Sequence, residues 1–326
     1  MDFTLTELQA AAELVGRWVP PTPQYRWPLL DVKVGAQVWV KHENHTPVGA
    51  FKVRGGLLYV DRLLARTPPD SPPPGIISAT RGNHGQSLAF AGRERGVPVV
   101  IVVPHGNSPD KNASMRALGA EVVESGHDFQ ASREHAAEQA TERGMELVPS
   151  FHPDLVLGVA TYAYELFTAV PDLDTVYVPV GMGSGVCGLI GTRDAMGLDT
   201  KIVGVVSEQA PATALSFAAG EVRTTPTAET FVDGVACRTP DETAISRMLR
   251  GAERIVTVSE DAAAEATRIL FAATHNAAEP SGAIALAGAL SERGAVAGRR
   301  IAVIQTGGNI DTDLFATILS GQTPAV

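Results

Sequence analysis

Gly49-Ala50-Phe51-Lys52-Val53-Arg54-Gly55-Gly56 places a lone amine after an aromatic ring and shortly before two glycines, in largely apolar company. A lysine in that setting is dehydrated enough to lose part of its positive charge, and a neutral amine can form a Schiff base with an aldehyde. Taken alone, the run suits an ordinary lysine opening a surface helix equally well. Three further segments shift the balance.

Gly181-Met182-Gly183-Ser184-Gly185 follows the strand-like Val176-Tyr177-Val178-Pro179-Val180 and precedes an apolar, helix-compatible run. Glycines at such a junction let backbone N–H groups converge, and the following helix adds its positive end, so the site suits a phosphate. A dinucleotide-binding turn would look similar, but no acidic residue ends a following strand about 20 residues on. A glycine-rich turn without a ligand is the other reading. Thr80-Arg81-Gly82-Asn83-His84-Gly85-Gln86 gathers a hydroxyl, an amide and N–H groups at the start of a helix running from about Gly82, where a carboxylate binds well. Thr80 or Asn83 as a plain N-cap and His84 as a structural histidine are the alternatives. Thr306-Gly307-Gly308-Asn309 ends the apolar run Ile301-Ala302-Val303-Ile304, and a hydroxyl at the carboxyl end of a parallel strand faces the crevice where ligands of such folds bind. Thr306 also suits a simple turn.

The 326 residues, 44% hydrophobic and 19% charged, can bury a large core in one or two closely associated domains. A net charge of −10 without a block of like charges argues against nucleic acid and anionic membranes, and leaves a small molecule as the partner. Cys187 and Cys237 are too few for a disulfide framework and lack zinc-ligand spacing, which points to the reducing cytoplasm and to buried rather than reactive thiols. Met1-Asp2-Phe3-Thr4 opens no export signal, and nowhere do about 18 apolar residues run together.

Short β-rich runs at 37–41, 75–78, 98–103, 121–124, 175–178, 201–206, 254–258 and 300–304 alternate with alanine-rich amphipathic segments, the pattern of parallel sheets covered by helices. Thr67-Pro68-Pro69-Asp70-Ser71-Pro72-Pro73-Pro74 can neither continue a helix nor enter a central strand, and it marks a linker. The expected organisation is an α/β protein with a large domain from residues 1–71 and 152–326, and a small mobile domain, 72–151, inserted in sequence.

The four segments, in this order and at these separations, resemble the fold-type II (tryptophan synthase β-like) pyridoxal-phosphate enzymes, and within them the serine/threonine dehydratase and serine racemase group. Pro104 through Lys111 with Gly119-Ala120-Glu121-Val122, then Asp233-Gly234-Val235-Ala236 and Glu279-Pro280-Ser281-Gly282, are further matches in order. The resemblance implies that Lys52 carries the cofactor with Phe51 packed beside it, that Asn83 bonds the 3′ oxygen of its ring, and that Gly181, Met182, Gly183, Ser184 and Gly185 hold its phosphate. It implies that Thr306 faces the ring nitrogen and that Thr80, Arg81, Asn83 and His84 bind the substrate. The implied activity is that of a lyase, a dehydratase (ammonia-lyase) turning an L-β-hydroxy amino acid into a 2-oxo acid and ammonia. Serine and threonine are the default substrates, and phenylserine or 3-hydroxyaspartate the bulkier variants. A homodimer is implied by the same resemblance.

The chain also departs from that pattern. Arg81 stands where dehydratases of the group carry alanine and racemases carry a catalytic serine, and a guanidinium cannot take a proton from carbon. Arg81 could bind a substrate carboxylate or simply point outward. Glu208 matches the family's carboxylate ligand for a structural divalent cation, but Ala214 replaces the second acid, so no required metal is expected. Gly158-Val159-Ala160-Thr161 replaces the usual glycine-glutamine-glycine-threonine, and Met182 and Ser184 interrupt the glycine tetrad. No regulatory domain of the biosynthetic threonine deaminases is expected after Asn309. An amino-acid racemase or β-replacement synthase on the same scaffold remains the rival enzyme, and a non-catalytic carrier of pyridoxal phosphate the rival of another class.

Overall fold

The computed structural model describes residues 2–68, 70–127 and 129–325, so Met1 and Pro69 of the segments read above lie outside the described residues. In chain order the elements begin α1 (Leu5–Gly16), β1 (Gln24–Arg26), α2 (Pro28–Val34), β2 (Gln37–His42), α3 (Lys52–Arg66), β3 (Ile76–Ala79), α4 (Asn83–Arg95) and β4 (Val99–Val103). They continue with α5 (Pro109–Ala117), β5 (Glu121–Glu124), α6 (Phe129–Arg143), β6 (Glu146–Leu147), α7 (Pro153–Ala169), β7 (Thr175–Pro179) and α8 (Ser184–Ala195). The last part holds β8 (Lys201–Ser207), α9 (Ala212–Ala219), a 3-10 turn at Asp233–Val235, α10 (Glu242–Gly251) and β9 (Arg254–Val258). It closes with α11 (Glu260–Thr274), α12 (Pro280–Ser291), β10 (Arg300–Gln305) and α13 (Thr312–Leu319). The chain divides into two compact units, one of Met1–Phe51 with Ala160–Val326 and one of Lys52–Val159.

The first unit carries a six-stranded sheet in the order β1-β2-β10-β7-β8-β9. Only β1 runs antiparallel; the other neighbours pair in parallel. Its central strands read as nearly unbroken Val and Ile because a parallel sheet is covered on both faces. One covering layer packs Leu30 and Val34 of α2, Ala263 and Leu270 of α11, and Ile284 and Leu286 of α12 against Val38, Val40, Val203 and Val303. The second unit carries the four-stranded parallel sheet β5-β4-β3-β6, with Ile77, Val100 and Val102 packed under Ala136 and Ala140 of α6. The strands expected from sequence all form. The two that escaped, β1 and β6, are edge strands of three and two residues, too short to show a period.

Within the second unit two glycines set how closely α3 approaches the start of α7. A Cβ on Gly55 would lie 2.8 Å from the Leu155 carbonyl oxygen, and one on Gly158 would press on the Arg54 carbonyl. The backbones touch there, so Gly158→Ala is expected to cost about 1–3 kcal/mol through overpacking. Denaturant unfolding of the variant measures this, and an unchanged midpoint would contradict so close an approach. Among the described residues no helix is long and apolar enough to cross a membrane.

Candidate active site

In the first unit the segment that leads to Lys52 is bound to the end of β10. Phe51 donates its N–H to the Thr306 carbonyl at 3.0 Å, and Ala50 forms a bridge with Gly307. Thr306 is 4% exposed, and its hydroxyl donates to the Ser281 carbonyl at 3.3 Å. The strand end behind it is fixed by a polar chain. The Trp27 indole N–H donates to His42 Nε2 at 3.0 Å, which leaves the ring proton on Nδ1 to be donated to Gln305 Oε1 at 2.9 Å. Gln305 Nε2 then donates to the Ala277 carbonyl at 3.0 Å. Burial lowers the His42 pKa to about 4, so the ring stays neutral and this order of donors holds near neutral pH.

The glycine loop lies at the end of β7. Gly183, at φ +101, is the N-cap of α8, and no side chain caps that helix. Cys187 donates to the Gly183 carbonyl at 3.0 Å, and the N–H groups of the residues before it lie in the first turn, where a helix makes no bonds of its own. A Cβ on Gly181 would strike the Gly234 carbonyl oxygen, which explains why this position is glycine. Met182 is partly exposed and its sulfur contacts the Cys237 thiol at 3.7 Å. Burial pushes the thiols of Cys187 and Cys237 up to about 12 and 11, which makes them poor nucleophiles. Tyr162 links loop and ring: its hydroxyl donates to the Gly185 carbonyl at 3.1 Å, and its ring meets Phe51 edge-on with centroids 6.1 Å apart.

In the second unit Lys52 opens α3, its carbonyl accepting from Ser87 Oγ at 2.7 Å. Part of the residue stays open to solvent, yet desolvation of the amine lowers its pKa from 10.5 to about 8. Asn83 is the first residue of α4, whose N-cap is Gly82 rather than Thr80 or Asn83, with no side-chain cap. The Thr80 hydroxyl instead accepts from the Gly82 N–H at 3.0 Å, which leaves its own proton to donate. His84 is buried, and burial first, then the charge of Lys52, lowers its pKa to about 3. Its Nε2 has no hydrogen-bond partner among the described residues. Arg81 is exposed.

The sequence reading missed Tyr162, Ser87 and the Trp27-His42-Gln305 chain. Their partners lie between 15 and 263 residues away, and nothing local in the sequence signals such pairings.

Two parallel α/β sheets, a glycine loop feeding an uncapped helix and a desolvated lysine describe an enzyme built around an aldehyde cofactor that carries a phosphate. A model of the pyridoxal-phosphate dependent enzyme family matches residues 16–307, and the chain belongs to that family, with the fold-type II architecture. It is similar to an L-threo-3-hydroxyaspartate ammonia-lyase of Saccharomyces cerevisiae, 29% identical over 320 residues, covering 98% of this chain and 97% of the relative. It is 28% identical to an L-threonine ammonia-lyase of Thermotoga maritima over 98% of this chain and 78% of the relative. Among solved structures it is similar to a pyridoxal 5′-phosphate-dependent aspartate racemase, with a TM-score of 0.89 and 28% identity over 96% of this chain and 98% of that one.

The residues fit the cofactor: uncapped N–H groups suit its phosphate and the lysine its aldehyde. Because an amine reacts only when neutral and the Lys52 amine titrates at about 8, uptake of pyridoxal phosphate by the apoprotein should accelerate as pH rises through about 8 and then level off. Stopped-flow absorbance measures it, and a rate indifferent to pH across that range would contradict the assignment.

Proposed function

We propose that the protein is a pyridoxal-phosphate-dependent ammonia-lyase of L-β-hydroxy amino acids, yielding a 2-oxo acid and ammonia by loss of the α-proton and the β-hydroxyl. The observation that carries this reading is the desolvated amine of Lys52, one residue beyond a backbone anchored at Thr306. The names of the yeast and Thermotoga relatives support the same reaction class.

When bound, pyridoxal phosphate supplies an aldehyde that condenses with amines and a conjugated ring that withdraws electrons from the α-carbon. Lys52 would hold that aldehyde, and its neutral amine would take the α-proton as general base. The loop from Gly181 through Gly185, Met182 and Ser184 included, holds the phosphate with its N–H groups. Phe51 packs beside the ring, and Asn83 bonds the 3′ oxygen. Thr306 would turn its neutral hydroxyl from the Ser281 carbonyl to the ring nitrogen, and a hydroxyl does not hold a proton there as a carboxylate would. Electron withdrawal is then weaker, and expulsion of the β-hydroxyl is favoured over transamination. Thr80, Asn83, neutral His84 and the uncapped N–H groups of α4 bind the substrate carboxylate.

The similarity to an aspartate racemase does not move this reading, because Arg81 replaces the second acid/base that a two-base racemisation requires. A homodimer in the cytoplasm belongs to the same proposal. Tyr25 of β1 and Leu29 and Val32 of α2, exposed at 57%, 59% and 83%, and two buried cysteines support it.

Lys52→Ala is expected to abolish ammonia release from every substrate. The wild-type holoenzyme should be yellow, and borohydride should fix the cofactor on the peptide containing Lys52; labelling of another lysine would sink the reading. Chiral analysis of the products separates lyase from racemase.

Arg81 is the candidate for substrate choice, standing exposed just before an uncapped helix start, as a guanidinium for a second carboxylate should. Arg81→Ala should raise KM or lower turnover by the equivalent of about 2–5 kcal/mol on 3-hydroxyaspartate if the pair is desolvated. A panel with serine, threonine and phenylserine reads the pattern: loss confined to 3-hydroxyaspartate places Arg81 at the side-chain carboxylate, and equal loss on all four places it at the α-carboxylate. No loss makes it a solvated charge.

A further inference from the structure

The cation site that the family resemblance implies does not fit this chain. Glu208 is exposed, and position 214 offers only a methyl group. Among the described residues no group of three or more His, Cys, Asp and Glu could hold a metal ion. A hard divalent cation needs several oxygen ligands, anionic ones among them.

The same region is instead closed by a carboxylate. Glu260, the first residue of α11, accepts from Ser207 Oγ at 2.5 Å through Oε1. It accepts from Thr230 Oγ1 at 2.8 and 2.9 Å through its two oxygens, and from the Phe231 N–H at 3.2 Å. Each hydroxyl also closes a turn of its own: Ser207 Oγ accepts from the Gln209 N–H and Thr230 Oγ1 from the Val232 N–H, both at 3.0 Å. Ser207 and Thr230 are buried. One anion thus binds the turn after β8 to the segment that enters the 3-10 turn at Asp233–Val235. Hydrogen bonds to a charged acceptor are about twice as strong as neutral ones, which suits such a clamp.

That 3-10 turn bears on the glycine loop. The Gly234 carbonyl lies where a Cβ on Gly181 would have to go, and a Cβ on Gly234 would come 2.5 Å from Ser281 Oγ. Gly234 is therefore wedged between the loop and the start of α12. We propose that Glu260 is a positioning residue that stands in for the divalent cation, holding Gly234 against Gly181 so that the phosphate loop is shaped without metal. The inference rests on the functional reading for its ligand, while the clamp itself can be read in the apoprotein.

The experiment compares wild type with Glu260→Gln and, should that variant fold poorly, with Thr230→Val, which removes one hydroxyl only. In the apoprotein, hydrogen exchange across residues 229–236 should be the same with EDTA, magnesium or calcium, and faster in the variants. In cofactor titrations the variants should lose about tenfold in affinity for pyridoxal phosphate, the equivalent of roughly 1.4 kcal/mol, and keep their affinity for pyridoxal, which lacks the phosphate. A merely destabilising change would weaken both ligands alike. Protection of residues 229–236 by added cation in the wild type, unchanged exchange in the variants, or equal weakening of both ligands would each overturn the proposal. Wild-type protein that binds no pyridoxal phosphate but shows the expected exchange would sink the functional reading and leave the clamp standing.

Discussion

The hydrogen bond from the Phe51 N–H to the Thr306 carbonyl fixes the chemistry of this chain more than any other single interaction. It joins positions 255 residues apart and holds the backbone at the residue before Lys52, which begins α3. A lysine amine holds a pKa near 8 only if protein and not water surrounds it, so its backbone must be held in one place. Leaving either backbone group buried and unpaired would cost about 1–3 kcal/mol. The Ala50–Gly307 bridge and the Thr306–Ser281 contact extend the same weld to the start of α12.

Helix starts in this chain differ in what their N-cap residue offers. Thr4, Ser108, Asp241 and Ser259 cap α1, α5, α10 and α11 with their own side chains. Gly82 and Gly183, at the head of α4 and α8, are the only glycine N-caps among the described helices whose N-cap is defined, and a glycine has no side chain to offer as a cap. A capping oxygen occupies the N–H groups that a phosphate or carboxylate would use. His84, in the first turn of α4, is kept uncharged by burial.

Much of this was legible in the sequence, and what was legible shares a cause. Central parallel strands are covered on both faces and largely apolar, and even the edge strands β5 and β9 keep a valine-rich middle, so eight strands could be read directly. Gly181 and Gly183 had to be glycine, one for a carbonyl in the way and the other for a left-handed φ. Tyr162, Glu260, Ser207 and Thr230 could not be found, because a hydroxyl or carboxylate carries no trace of a partner 23 to 53 residues away. The depressed pKa of Lys52 was readable only as a tendency, since its size depends on desolvation that the fold supplies.

Parallel strands put all their carboxyl ends on one edge, and these loops of the first unit leave from that edge: residues 43–51 after β2, 181–185 after β7, 208–209 after β8 and 306–308 after β10. Just beyond the strands each loop is tied to a neighbour by a backbone hydrogen bond. Glu43 donates to Gln305 at 3.0 Å, Val180 to Val205 at 2.9 Å and Glu208 to Val258 at 2.9 Å. Sheet order is thereby carried outward into the loops, and the apolar core that fixes the strands also fixes the donors at their ends. Glu260 follows the same rule: it begins α11 directly after β9, on the same edge, and so reaches the turn after β8 with no more than a side chain.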